Sequence, residues 1–239
     1  MATIPDDIYS EPEASPDTLA NLGPLRRLAG TWSSQQGVDI NPKADGPQRR
    51  LYREITRMEP IDAQANGPQL LYGLRYHTHV NTAEEATTFH DQTGYWLWEP
   101  ATGLIMQTIS IPRGQVVLAG GFAKPDDPVI TVAAKRGDPR FGICSTTFLD
   151  EAFRTDSYRL EITFHADGSW TYVSQVALAI RGKTPAFDHR DTNTMHRIAA
   201  AVPNPLYTLT RDAGVSDVSV VTEAEKSPRN TGEMQGPRA

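Results

Sequence analysis

The chain has 239 residues, with 23 Lys and Arg against 29 Asp and Glu, a formal net charge of −6 and an isoelectric point near 5.5. This balance argues against a nucleic-acid or anionic-membrane partner, because both select for clustered cations and the pairs Arg26-Arg27 and Arg49-Arg50 are too short to make such a footprint. The one cysteine, Cys144, cannot form an intramolecular disulfide, no apolar run is long enough for a transmembrane helix, and the N-terminus lacks the cationic start and apolar core of a secretory signal, so the chain reads as cytoplasmic.

Residues 1–20 carry five acids and no base and read as a disordered lead-in. The segment Pro24-Leu25-Arg26-Arg27-Leu28-Ala29 predicts one or two helical turns ended by Gly30, placed to plug one end of a barrel. From there the pattern is strands. Thr31 to Ile40, Arg49 to Met58 and Leu70 to Val80 come first, with loops expected over 41–47 and 59–68. Thr87 to Trp98, Leu104 to Ile111, Gln115 to Phe122 and Val129 to Lys135 follow, then a shorter strand over Gly142 to Leu149. Cys144 in this last run reads as a small buried hydrophobe. Tyr158 to His165 and Ser169 to Ile180 flank Ala166-Asp167-Gly168, a hairpin signal, and a last strand runs from about Arg190 to Ala200.

This gives an all-β domain over 21–200: roughly ten strands in a mostly antiparallel up-and-down β-barrel of the calycin type, with a short N-terminal helical turn and no helix of ordinary length inside the domain. Residues 201–239 read as an extended and disordered tail. A barrel of this size encloses one small ligand. On Ser169–Ile180 the face with Trp170, Tyr172, Ser174, Val176 and Leu178 would fill space, and the opposite face would leave room. Tyr76-His77-Thr78-His79 sets two histidines on one strand face, more in keeping with a solvated rim than with a metal site. Gly120-Gly121 reads as a bulge or turn rather than a phosphate loop.

Three motifs stand out. Phe89-His90-Asp91-Gln92-Thr93-Gly94-Tyr95-Trp96-Leu97-Trp98-Glu99-Pro100 carries a His-x-x-x-Gly-aromatic pattern with His90, Gln92, Gly94, Trp96 and Trp98 on one strand face. Read on its own, His90 with the tryptophans locks neighbouring strands, and Gly94 permits close backbone approach. Thr184-Pro185-Ala186-Phe187-Asp188-His189 opens the last strand, and Gly30-Thr31-Trp32 follows the helical turn. Together these motifs resemble the nitrobindin family of haem-binding β-barrels, relatives of the fatty-acid-binding proteins and lipocalins. Ser34 and Gln36 stand where that family has the second and third glycines of its Gly-x-Trp-x-Gly-x-Gly start.

The resemblance implies haem b, with His189 as the ligand of a ferric iron and Thr31 and Trp32 near the cofactor. It also implies an apolar distal side, chemistry with nitric oxide and isomerisation of peroxynitrite to nitrate, and it leaves a homodimer open. Asp188 or Asp191 would orient the His189 ring. The alternative is a haem-free intracellular carrier of a fatty acid or other small hydrophobic or amphipathic ligand, for which Arg53, Arg75 and Tyr76 would hold a carboxylate. No nucleophile elbow, Cys-x-x-Cys pair or His-Glu-x-x-His is present to support another chemistry.

Overall fold

The computed structural model describes residues 4–82 and 88–203. Antiparallel strands close into a ring. They are β1 (Gly30–Lys43), β2 (Gly46–Asn66), β3 (Gln69–Thr82), β4 (Thr88–Glu99), β5 (Leu104–Ile111), β6 (Gln115–Phe122), β7 (Val129–Lys135), β9 (Phe153–Phe164), β10 (Trp170–Ile180) and β11 (Phe187–Ala200). A short extra strand, β8 (Ile143–Ser145), lies against β6. Pairing of β1 with both β2 and β11, and of β5 with both β4 and β6, leaves no open edge at those strands.

Four expectations of secondary structure are corrected. The loop expected over 41–47 shrinks to a two-residue turn at Ala44-Asp45, because β1 and β2 stay paired as far as Lys43 and Gly46. The segment 59–68 is mostly strand, because β2 runs on beside β3 to a turn at Gly67-Pro68, and Glu59 opposite Arg75 makes an ion pair at 2.8 Å. The expected strand over 142–149 is the three residues of β8 followed by a helix, α2 (Thr147–Ala152). Gly120 and Gly121 lie inside β6, where a side chain on Gly120 would collide with the Phe141 ring. The 166–168 hairpin forms as expected, with Gly168 at φ +84°.

The helical turn forms as a 3₁₀ segment over Gly23–Leu28, preceded by a four-residue turn, α1 (Thr18–Asn21). Leu22, Leu25 and Leu28 are fully buried, and each side chain withdrawn from water stabilises the fold by about 2 kcal/mol. They close one end of the barrel together with Trp32, Trp98 and Met195. The Trp32 indole donates to the Leu28 carbonyl at 2.7 Å and meets Trp170 edge-on at 5.6 Å. The residues expected as a tail lie outside the described residues from 204 onward. No helix among the described residues is long and apolar enough to cross a membrane.

Candidate functional site

Opposite the plugged end the barrel is open, and a cavity of about 560 Å³ runs inward from it. That volume lies in the range of sites that enclose one small molecule. Met58, Val80, Ile109, Val117, Leu160 and Ile162 supply much of the apolar wall. On β10 the inward face is Trp170, Tyr172, Ser174, Val176 and Leu178, so the face read from sequence as space-filling is the one that borders the cavity. The strands on both sides of it are the reason: β9 and β11 orient the same alternation inward.

His189 lines the open end. Strand alternation brings His189, Asp191, Asn193 and Met195 to the inner side of β11. The partner of the ring is Asp39 rather than Asp188 or Asp191: His189 Nε2 lies 2.7 Å from Asp39 Oδ1. Asp188 takes a bond from Arg190 on the outer surface, and Asp191 accepts from the Tyr52 hydroxyl. Asp39 reaches the interior through an irregularity in β1. Residues 30, 32 and 34 face inward, the register with β2 slips between Ser34 and Gly37, and from there 37 and 39 face inward. The Ser34 hydroxyl accepts from the Gln36 amide inside this bulge at 3.2 Å, and Gly37 lies under the Tyr52 ring, where a Cβ would sit 2.2 Å from its carbons.

Burial would raise the Asp39 carboxyl, but hydrogen bonds from His189 and Asn41 outweigh it and hold it below its ordinary value. A neutral His189 that donates through Nε2 keeps its lone pair on Nδ1, which has no hydrogen-bond partner among the described residues. A carboxylate on one ring nitrogen is the usual support of a metal-bound histidine.

Deeper in lies a polar network. Glu54 accepts from Tyr172 and Asn193 at 2.8 Å each and from Thr56 at 2.8 Å, and the Tyr52 and Tyr172 hydroxyls meet at 2.7 Å. Burial raises Glu54 against these bonds, and it pushes Asp191 up to about 7. Across the cavity Tyr76 accepts from Gln92 at 2.7 Å, and Tyr158 donates to Gln107 at 2.9 Å. His90 also faces the cavity, 3.2 Å from the Gln92 carbonyl oxygen, and burial lowers its pKa. Around this site three buried side-chain atoms have no hydrogen-bond partner among the described residues, the Trp170 indole nitrogen and the carbonyl oxygens of Asn41 and Asn193.

Several expected residues lie elsewhere. Thr31 and Trp32 are not on the cavity wall: Trp32 is sealed into the plug, with Arg197 over its ring at 4.7 Å. Neither Ser34 nor Gln36 borders the cavity, and Gln36 is exposed. Arg53 points outward and Arg75 is held by Glu59, so of the three carboxylate candidates Tyr76 alone faces the cavity. His77 and His79 sit on the outer surface against Asp91, at 3.0 and 3.6 Å, and among the described residues no cluster of three His, Cys, Asp or Glu is arranged to hold a metal ion. Cys144 is exposed, not buried, because β8 turns Ile143 inward and its neighbour out. Gly94 behaves as expected: a Cβ there would come 2.0 Å from the Thr108 carbonyl oxygen.

Residues 21–197 match the family described as the THAP4-like, heme-binding beta-barrel domain. The chain belongs to this haem-binding β-barrel family. Haem is therefore the cofactor that the family brings to the barrel. A solved relative in fold is the crystal structure of Rv2717c from M. tuberculosis, with a TM-score of 0.52 and 20% sequence identity over 77% of this chain and 99% of that chain. No curated protein matches the chain. The residues present fit haem: an imidazole backed by a carboxylate, an apolar wall beside it, and cations at the same opening. Sequence reasoning missed Asp39, because only the bulge at 35–36 turns it inward; Gly37 next to it was the available signal.

Proposed function

We propose that this barrel binds haem b with His189 as the protein ligand of a ferric iron, and that it acts on nitric oxide or peroxynitrite, turning the latter into nitrate. The observation that carries the reading is the Asp39–His189 pair at the wall of a mostly apolar cavity. When bound, haem supplies the iron at which such small oxidants react. The chain does the rest. His189 offers a lone pair at a ring nitrogen, and Asp39 fixes the ring by accepting the proton on the other. Val176, Leu178, Ile109 and Ile111 limit water at the opening, and a neutral His90 faces the same space. We place the protein in the cytoplasm, in keeping with a single exposed thiol and no need for a disulfide.

Titration of the purified chain with hemin tests this. A Soret band that sharpens and saturates at about one haem per chain, and is lost with His189→Ala, is the expected result. An unchanged band in the variant removes His189 from the iron.

A second reading, a haem-free carrier of an amphipathic acid, draws support from an apolar cavity whose opening carries Lys43, Arg50 and Arg113, none of which depends on iron. Solvent extraction that returns a lipid in near-stoichiometric amount would favour it.

A further inference from the structure

Apart from Asp39, which is tied to His189 at the opening, the acids and cations of the cavity are sorted by depth. The acids Glu54 and Asp191 lie inside, tied to Tyr52, Tyr172, Thr56 and Asn193. The cations lie at the opening: Lys43 near the end of β1, Arg50 on β2 and Arg113 in the β5–β6 turn. Two of them flank one residue. The Arg50 guanidinium carbon is 5.3 Å from the centre of the Phe89 ring, and Arg113 Nη2 donates to the Phe89 carbonyl at 2.6 Å. None of the three forms an ion pair with a carboxylate among the described residues; the neighbouring Asp39 is hydrogen-bonded to His189 and Asn41 instead. Arg50 already acts on Asp39 at the opening, but the three cations outnumber that one carboxylate there, and below them lies an apolar wall with the buried acids Glu54 and Asp191, so an anion is better held at the rim than in the depth.

We propose that Arg50, Lys43 and Arg113 form a carboxylate-binding rim, so that an amphipathic acid lies with its apolar body inward and its carboxylates at the opening. The inference rests on the cavity being the ligand site. It specifies the chemistry that site selects, which the two propionates of haem and the single carboxylate of a fatty acid share. It also replaces Arg53 and Arg75 in that role, since both face away from the cavity.

The test is a titration of the full chain with metal-free protoporphyrin IX and its dimethyl ester, followed by quenching of tryptophan fluorescence. Because Trp96 and Trp170 line the cavity, ligand entry is read without iron. The free acid should bind about tenfold more tightly than the ester, as expected for two or three partly exposed charge-assisted contacts. Raising the salt concentration should weaken the acid and not the ester. The double variant Arg50→Gln/Arg113→Gln should erase the difference while leaving ester binding, and so the fold, unchanged. Equal binding of acid and ester, or a difference that survives in the double variant, overturns the rim and leaves the haem reading standing. Porphyrins that fail to bind, beside a long-chain fatty acid that binds about tenfold more tightly than its methyl ester, would uphold the rim and remove haem.

Discussion

Asp39 and His189 face each other across the β1–β11 pair with Oδ1 and Nε2 2.7 Å apart, and the Asp39 side chain is only 8% exposed while His189 is 31% exposed. The contact fixes which nitrogen carries the proton and which side of the ring meets the cavity. Replacing Asp39 with Asn keeps the size but removes the acceptor charge. Hemin affinity should fall by about tenfold to a hundredfold, the usual effect of losing the partner of a metal-binding histidine. A hemin titration of Asp39→Asn beside wild type checks this, and equal affinity would separate Asp39 from the iron site.

The bulge that delivers Asp39 depends on Gly37. A methyl group there would meet the Tyr52 ring at 2.2 Å, and that ring is fixed by Tyr172 and Asp191. Gly37→Ala should therefore cost about 1–3 kcal/mol, the range for overpacking a well-filled interior. Urea unfolding followed by fluorescence measures it. A loss of stability below about 0.5 kcal/mol would mean that the ring moves freely.

Much of the fold was legible because strand alternation and turn residues act locally. Leu25 and Leu28 with Gly30 marked the plug, and Asp167-Gly168 marked a hairpin. What stayed hidden was non-local. The bulge at 35–36 shifts β1 by one residue and exchanges Val38 for Asp39 on the inner face, a change no alternation count reveals. The first half of α2, Thr147 to Leu149, reads as the end of a strand because so short an amphiphilic stretch fits either period. Along the cavity lining, His189 stands out in the sequence through its motif, whereas Arg50 and Arg113 do not, since they meet only where distant strands converge on Phe89.

Gln36 departs from the Gly-x-Trp-x-Gly-x-Gly start that the resemblance implies, yet its side chain is exposed and borders no part of the cavity. Gln36→Gly should leave hemin affinity within about twofold, and its cost should be limited to the roughly 1 kcal/mol of added chain freedom. Parallel hemin titration and urea unfolding read both quantities. A gain in affinity of about tenfold or more would show that this position does control access to the porphyrin.

The buried carboxyl of Asp191 predicts a pH dependence with a definite sign. Its pKa is pushed up to about 7, mainly by burial, from an ordinary value of 3.8. Between these values the folded chain holds a proton that the unfolded chain has released, so this group favours folding at low pH and its contribution fades as pH rises through 7. The ceiling is about 4 kcal/mol at full effect. His90, lowered by burial, acts in the opposite sense as pH falls through its unfolded value of 6.5. Asp39, held low, contributes stability that is lost only under more acidic conditions. The two opposing trends are separated by comparison with Asp191→Asn, which keeps His90 and Asp39. The stability difference, wild type minus variant, should decline from pH 5 to pH 8 when both ligand-free proteins are unfolded in urea. A difference that stays flat over this range would mean that Asp191 is ionised throughout and that the Tyr52 hydrogen bond outweighs its burial.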